Sequence, residues 1–172
     1  MTPLRSDIEK SVILCYNIDN NTERMNGMIY TDLTVKAMNI AYTAHHGQKD
    51  KCGVPYIFHP IHLAEQMNSE YTVCAALLHD VAEDTDTTIE QLAEIFPEEV
   101  IKAVQLLTHR KGTAYEDYIK AIASDPIAKA VKLADLAHNS DPQRSALTNE
   151  PDGKRLARSH KYENAIRLLT GE

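Results

Sequence analysis

Apolar and polar positions along the chain repeat at helical spacing almost throughout. "TDLTVKAMNIAYTAHHG" places Leu33, Ala37, Met38, Ala41 and Tyr42 on one side, and Gly47 marks its end. "HPIHLAEQM" carries Pro60 in the first turn of a helix. "EYTVCAALLHDVAED", residues 70–84, reads as one largely buried helix. "TTIEQLAEIF" opens on Thr87 with Glu90 three residues on, a capping-box pattern, and Thr113 with Glu116 repeats it in "TAYEDYIKAIA". "PEEVIKAVQLLTH" has two acids in its first turn, which suits the helix dipole. "DPIAKAVKLADLAHNSD" starts at Asp125 with Pro126, and "GKRLARSHKYENAIRLL" is a last amphipathic helix. Between the first two helices, "GQKDKCGVPYIFHP" is a loop with room for a short extended piece or hairpin. Strand signals are nearly absent. The pattern predicts an all-α, single-domain helical bundle of irregular packing. Residues 28–172 form that domain, and the polar, turn-rich residues 1–27 read as an N-terminal extension expected to order poorly.

Composition narrows the partners. Eighteen Lys and Arg against 25 Asp and Glu give a net charge of −7, which argues against a nucleic-acid or anionic-membrane binder. No apolar run approaches the ~18 residues of a membrane span, and no signal peptide is evident. Cys15, Cys52 and Cys74 are far apart and form no CxxC, so a cysteine zinc site is not expected. Cys74 lies in an apolar run and reads as a small buried hydrophobe, and the usage suits a cytoplasmic protein.

Chemistry concentrates in "LLHDVAEDTDTT". Asp80, Glu83, Asp84 and Asp86 fall within seven positions, directly after the apolar "VCAALL" and His79. Like charges at helical spacing repel. A solvated helix end would tolerate them, but the apolar approach sets His79 and Asp80 at the edge of the core. A divalent cation would neutralise them there. Asp86 and Thr87 read as the end of the loop and the cap of the next helix. His59 opens a helix elsewhere, with His62 three residues on. Asp135 lies among Val131, Leu133, Ala134 and Leu136, with His138 and Asn139 after it. A lone buried Asp is commonly capped or ion-paired, and Lys132 is the available salt partner.

The ordered segments "HP", "LLHDVAEDTDTT" and "VKLADLAHN" resemble the H…HD…D pattern of the HD-domain metallohydrolases. With "AHHGQKDKCGVPYIFHPIHLAEQM", they are most similar to the (p)ppGpp hydrolase domain of Rel/Spo-type enzymes and of stand-alone alarmone hydrolases. The likeness covers roughly residues 32–140. It implies His59, His79, Asp80 and Asp135 as ligands of one divalent metal ion, with Mn²⁺ favoured over Fe²⁺, Co²⁺ or Zn²⁺. It implies Glu83 and Asp84 as the catalytic pair that orients or activates water. Asn139 matches the family's contact to the nucleotide sugar, and Lys49, Lys51 and Lys132 are further candidates for holding the phosphorylated nucleotide. His62 and His138 fall on no ligand position and are expected to pack or to hydrogen-bond. Arg144, Lys154, Arg155 and Arg158 form a basic C-terminal cluster.

Two departures stand out. Asp50 occupies a loop position where the family carries Arg, and a lysine nearby does not reproduce a planar guanidinium. Leu136 and Ser140-Asp141 replace a basic residue and an apolar pair after the "KLAD" segment. About thirty residues follow "KLADLAHN", too few for a pyrophosphokinase domain. The resemblance therefore implies hydrolysis alone, with removal of the 3′-pyrophosphate of (p)ppGpp as the expected reaction. The alternatives are an HD phosphohydrolase for another nucleotide or small phosphate ester, and a non-catalytic nucleotide-binding protein. No nucleic-acid or membrane partner is implied, and no particular oligomer.

Overall fold

Ten helices lie among the described residues of the computed structural model, which covers 28–148 and 150–171. They are α1 (Asp32–Ala44), α2 (Phe58–Glu65), α3 (Glu70–Leu78), α4 (Val81–Asp84), α5 (Ile89–Ala93), α6 (Glu98–Leu107), α7 (Tyr115–Ala123), α8 (Pro126–Asn139), α9 (Pro142–Ala146) and α10 (Asp152–Thr170). The extension expected over residues 1–27, and Cys15 within it, lies outside the described residues. The only bridge among them is antiparallel, Lys49 to Pro55, so the loop before α2 has the hairpin-like closure its sequence suggested. Gly47 and Gly53 take positive φ there, at 79° and 82°. These are conformations in which a Cβ is strained. None of the described helices is long and apolar enough to cross a membrane.

Helix α3 is the axis of the molecule. Ser69 caps it: its hydroxyl accepts from Thr72 N–H at 3.2 Å, while Thr72 Oγ1 accepts from Ser69 N–H at 3.1 Å. Every residue from Thr72 to Leu78 is buried, the signature of a helix surrounded on all sides. Helices α1, α2, α6 and α8 surround it. Leu63, Leu77, Leu78, Ile119, Ile122 and Leu136 are fully buried in the resulting core, each contributing about 1.5–3 kcal/mol by removal from water. Cys74 is buried among them, and burial, with Glu70 nearby, pushes its thiol up to about 12. Helix α8 lies against α3 and α6 on one side and α7 and α10 on the other. Asp135, the one acid of α8, is thereby buried within the bundle.

Several local expectations are corrected. Residues 70–84 are two helices, not one: Asp80 adopts φ −103°, ψ −4°, in the sparsely allowed bridge region. Its carbonyl accepts from Asp84 N–H at 2.9 Å and so opens α4. Thr88 with Gln91, not Thr87 with Glu90, forms the capping box of α5. Thr87 N–H is already committed to Thr85 Oγ1 at 3.2 Å, so the cap falls one residue later. Thr113 does not cap α7; Ala114 does, without a side-chain bond. Thr113 instead closes the preceding turn, its N–H on the Arg110 carbonyl and its own carbonyl against His109. Tyr42 is 59% exposed, because α1 faces the core through Thr34, Ala37 and Ala41 and the next residue points about 100° away. Helix α9 had no counterpart in the sequence pattern.

Candidate metal centre and its cavity

The break between α3 and α4 aims His79 and Asp80 at the N-terminal turn of α2 and the middle of α8. His59, His79 and Asp80 offer ligand atoms that all lie within 4.8 Å of one another. His59 Nε2 is 3.3 Å from Asp135 Oδ1 and 3.9 Å from Asp80 Oδ2. The four side chains thus converge from two helices, α2 and α8, and from the break between α3 and α4, and His59, Asp80 and Asp135 line the floor of a cavity of about 560 Å³.

The electrostatics are those of a site that needs a cation. His79 is buried, and its Nδ1–H donates to the Ala76 carbonyl at 2.8 Å. That leaves Nε2 as the free nitrogen. It lies 2.8 Å from Asp80 Oδ2 but has no hydrogen-bond partner. Burial works against an imidazolium here, yet Asp80 and then Asp135 outweigh it and hold His79 up at about 9. Burial likewise works against an ionised Asp80, but His79 and Tyr56 keep it at about 2. Asp135 is held well below the carboxylate range against burial by His59 and by Lys132. Two carboxylates stay ionised around a buried imidazole whose Nε2 faces Asp80. This mixed nitrogen and oxygen donor set fits a divalent first-row ion.

Around these four, the other expected residues take definite places. Lys132 Nζ donates to Asp135 Oδ2 at 2.8 Å, and Asn139 Nδ2 donates to Asp135 Oδ1 at 2.5 Å. Both side chains orient the acid while facing the cavity. Glu83 and Asp84 are exposed on the cavity wall. Glu83 Oε2 accepts from His109 N–H at 2.8 Å. Burial, with Asp80 beside it, raises the Asp84 carboxyl above its usual range. Lys49 and Lys51 stand exposed at the cavity edge. Arg158 also lines it, while Lys154 and Arg155 of the same basic cluster do not.

Three contributors were not legible as such. Tyr56 donates its hydroxyl to Asp80 Oδ2; its only sequence signal is its place in "PYI". His138 Nδ1 is 2.7 Å from His59 Nδ1. Arg144, on the unforeseen α9, pairs with Asp50 at 2.9 Å. The far wall adds Tyr115, Tyr118, Lys161 and Tyr162. Lys161 sits 3.8 Å above the Tyr115 ring and Lys132 5.4 Å from that of Tyr118.

Comparison with known proteins follows from this geometry. A family model described as HD domain matches residues 37–129. The chain is 37% identical over 155 residues to guanosine-3′,5′-bis(diphosphate) 3′-pyrophosphohydrolase MESH1 of Danio rerio, covering 82% of this chain and 84% of that one. It is 40% identical over 116 residues to guanosine-3′,5′-bis(diphosphate) 3′-pyrophosphohydrolase of Aquifex aeolicus (strain VF5), covering 60% of this chain and 17% of that protein. To the bifunctional (p)ppGpp synthase/hydrolase SpoT of Escherichia coli (strain K12) it is 32% identical, covering 77% of this chain and 22% of the other. The chain thus spans about a fifth of these bacterial relatives. A solved structure described as a metazoan ortholog of SpoT that hydrolyzes ppGpp superposes with a TM-score of 0.64 at 25% identity, covering 83% of this chain and 86% of that one.

Proposed function

The chain belongs to the HD-domain family, and from that premise we propose that it is a metal-dependent phosphohydrolase that removes the 3′-pyrophosphate of (p)ppGpp. The observation that carries the reading is the convergence of His59, His79, Asp80 and Asp135 on one point beneath a cation-edged cavity. Relatives that share this architecture are named for that reaction. His59, His79, Asp80 and Asp135 would hold one divalent ion, with Mn²⁺ proposed. When bound, such an ion supplies Lewis-acid polarisation of a phosphoryl oxygen and acidifies water.

The chain's own residues supply the rest. Tyr56, Lys132 and Asn139 fix the carboxylates of Asp80 and Asp135, so the donor set is preorganised. Glu83, anchored by His109 N–H, orients the attacking water. Asp84 has its carboxyl raised, which makes it the stronger base, and it takes the proton. The water oxygen bonds to phosphorus, the bond to the ribose 3′-oxygen breaks, and that oxygen leaves as a hydroxyl, with the proton that Asp84 took from the water returned to it through solvent. Lys49, Lys51 and Lys132 meet the phosphates from the cavity wall.

A second reading, hydrolysis of another nucleotide or small phosphate ester at the same centre, is favoured by the loop around Asp50: Asp50 is paired with Arg144, so the loop offers no free guanidinium at that position. A panel of phosphorylated nucleotides with Mn²⁺-loaded protein separates the two. Pyrophosphate release from ppGpp is expected, with kcat lowered about 10²–10⁴-fold in Asp84→Asn, the usual worth of a general base. Turnover of other phosphate esters with inertness to ppGpp would replace the first reading by the second.

A further inference from the structure

Glu83 and Asp84 end a helix of only four residues, α4. A helix that short has no interior, so its carbonyls must find partners outside the helical ladder. The Val81 carbonyl accepts from Thr85 Oγ1–H at 2.6 Å. The Asp84 carbonyl accepts from Gln48 Nε2 at 3.0 Å, across 36 residues of chain. A distant side chain thus closes the helix end that carries the acid.

The amide that makes this bond is itself held. Gln48 Oε1 accepts from His45 Nδ1–H at 2.8 Å. Turning the amide round would set its oxygen against the Asp84 carbonyl, and neither atom could donate. His45 is buried, and its ring packs on Tyr56 with centroids 4.8 Å apart. Its Nε2 has no hydrogen-bond partner among the described residues, so the ring's polar tie is to Gln48. The main chain of Gln48 is fixed as well. Its N–H donates to the His45 carbonyl at 3.1 Å, and its carbonyl accepts from Tyr56 N–H at 3.0 Å.

These bonds make Gln48 a joint between two parts of the cavity wall. Lys49 follows it directly and stands at the cavity edge. The Lys49–Pro55 bridge then leads to Tyr56, whose hydroxyl holds Asp80. On the other side of the joint is Asp84. A base must lie within hydrogen-bond reach of the proton it takes. A displacement of about 1 Å can cost about 10²-fold in rate.

We propose that Gln48 is a positioning residue for proton transfer at Asp84: its amide, held by His45, closes the end of α4 and fixes Asp84 relative to the loop that carries Lys49 and Lys51. No proton passes through Gln48; its part is geometric. The inference rests on the reading of Asp84 as the base.

Gln48→Met keeps the length of the side chain and removes both its donor and its acceptor. In the Mn²⁺-loaded protein, kcat for ppGpp should fall about 10–100-fold with KM little changed, the mark of a contribution made in the transition state. In an Asp84→Asn background the same substitution should lower kcat no further, because residues that act through one another are not additive. The Asp84 N–H, on the Asp80 carbonyl at 2.9 Å, reports the helix end without turnover. In metal-free Gln48→Met it should exchange with solvent faster than in wild type, as local fraying requires. An unchanged kcat, losses that add in full in the double variant, or unchanged exchange at Asp84 would each overturn the proposal. Turnover by Asp84→Asn at the wild-type rate would overturn the assignment of the base and this proposal with it. A wild type inert to ppGpp but active on another phosphate ester would overturn only the substrate, and the same measurements on that ester then decide the clamp.

Discussion

Asp50 shows how one side chain can be misread by its charge. By sequence it is an acid where an anionic substrate would want a base. In the structure one oxygen closes its own turn on Cys52 and Val54, and the other holds Arg144. Burial works to raise its pKa, but the Arg144 bond and the two N–H groups win and lower it below 3.8. A carboxyl depressed in the folded state contributes stability that is fully present above the unfolded value and is lost as pH falls through the folded one. Asp50→Asn keeps the turn and loses the charge pair. It should cost roughly 1.5–3 kcal/mol at neutral pH, the range for a hydrogen bond to a charged group. Urea denaturation from pH 8 downward should show that gap constant to about pH 5, then closing as Asp50 of the wild type protonates. A gap that does not close would show that charge is not what the pair contributes. Residues such as His79, Asp80 and Asp135 announce themselves in the sequence, because ionisable groups at the edge of apolar runs demand a partner. Tyr56, His138 and Arg144 do not. Their roles rest on contacts that span 24, 79 and 94 residues of chain, and no local pattern encodes those.

At the scale of elements, the site depends on where helices begin and break. Helix α8 carries Lys132, Asp135, His138 and Asn139, and Asp125 starts it. Its Oδ1 accepts from Ile127 N–H and Ala128 N–H, each at 3.0 Å, and Lys102 lies 3.3 Å from Oδ2. Asp125→Ala should cost about 1–2 kcal/mol, while Asp125→Asn, an equally good cap, should cost much less. The corresponding fall in Tm for a chain of this length is about 2–4 °C per kcal/mol. Asp135 lies ten residues along the helix, about 15 Å away. Mn²⁺ affinity in both variants should therefore stay within twofold of wild type. A large loss of metal in Asp125→Asn would mean that the cap also sets the register of the site. The Asp125–Pro126 start was legible because an acid cap followed by proline has few other readings. The caps at Thr87 and Thr113 were misplaced because Thr-x-x-Glu pairs are common, and the backbone groups of both residues are taken up by neighbouring turns. The break at His79–Asp80 was hidden because apolar spacing continues through Val81 and carries no signal of a backbone kink.

For the molecule as a whole, a net charge of −7 faces a proposed substrate that is itself strongly anionic. Helical patterning was enough to read the all-α architecture, since its period needs no long-range knowledge, but total charge is a poor guide to what a cavity accepts. Six Lys and Arg side chains line the cavity against five carboxylates. Three of the six are already committed, Lys132 to Asp135, Arg144 to Asp50 and Arg158 to Glu150. Without a cation at its floor the cavity is close to neutral inside a negative molecule; with one it becomes the positive region of the surface. Nucleotide binding, and not only turnover, should therefore require the metal. The Asp84→Asn protein, slowed in turnover, allows this to be measured by calorimetry before much ppGpp is consumed. At about 0.15 M salt, where charges beyond ~8 Å are screened, Mn²⁺ should tighten ppGpp binding at least tenfold, about 1.4 kcal/mol. Raising salt to about 1 M shortens screening to ~3 Å. That should weaken the contribution of Lys49 and Lys51 at the exposed edge far more than that of the buried centre. Equal affinity of the metal-free and Mn²⁺-loaded protein for ppGpp would mean that the wall cations alone hold the nucleotide, and that the centre acts only on the bond that breaks.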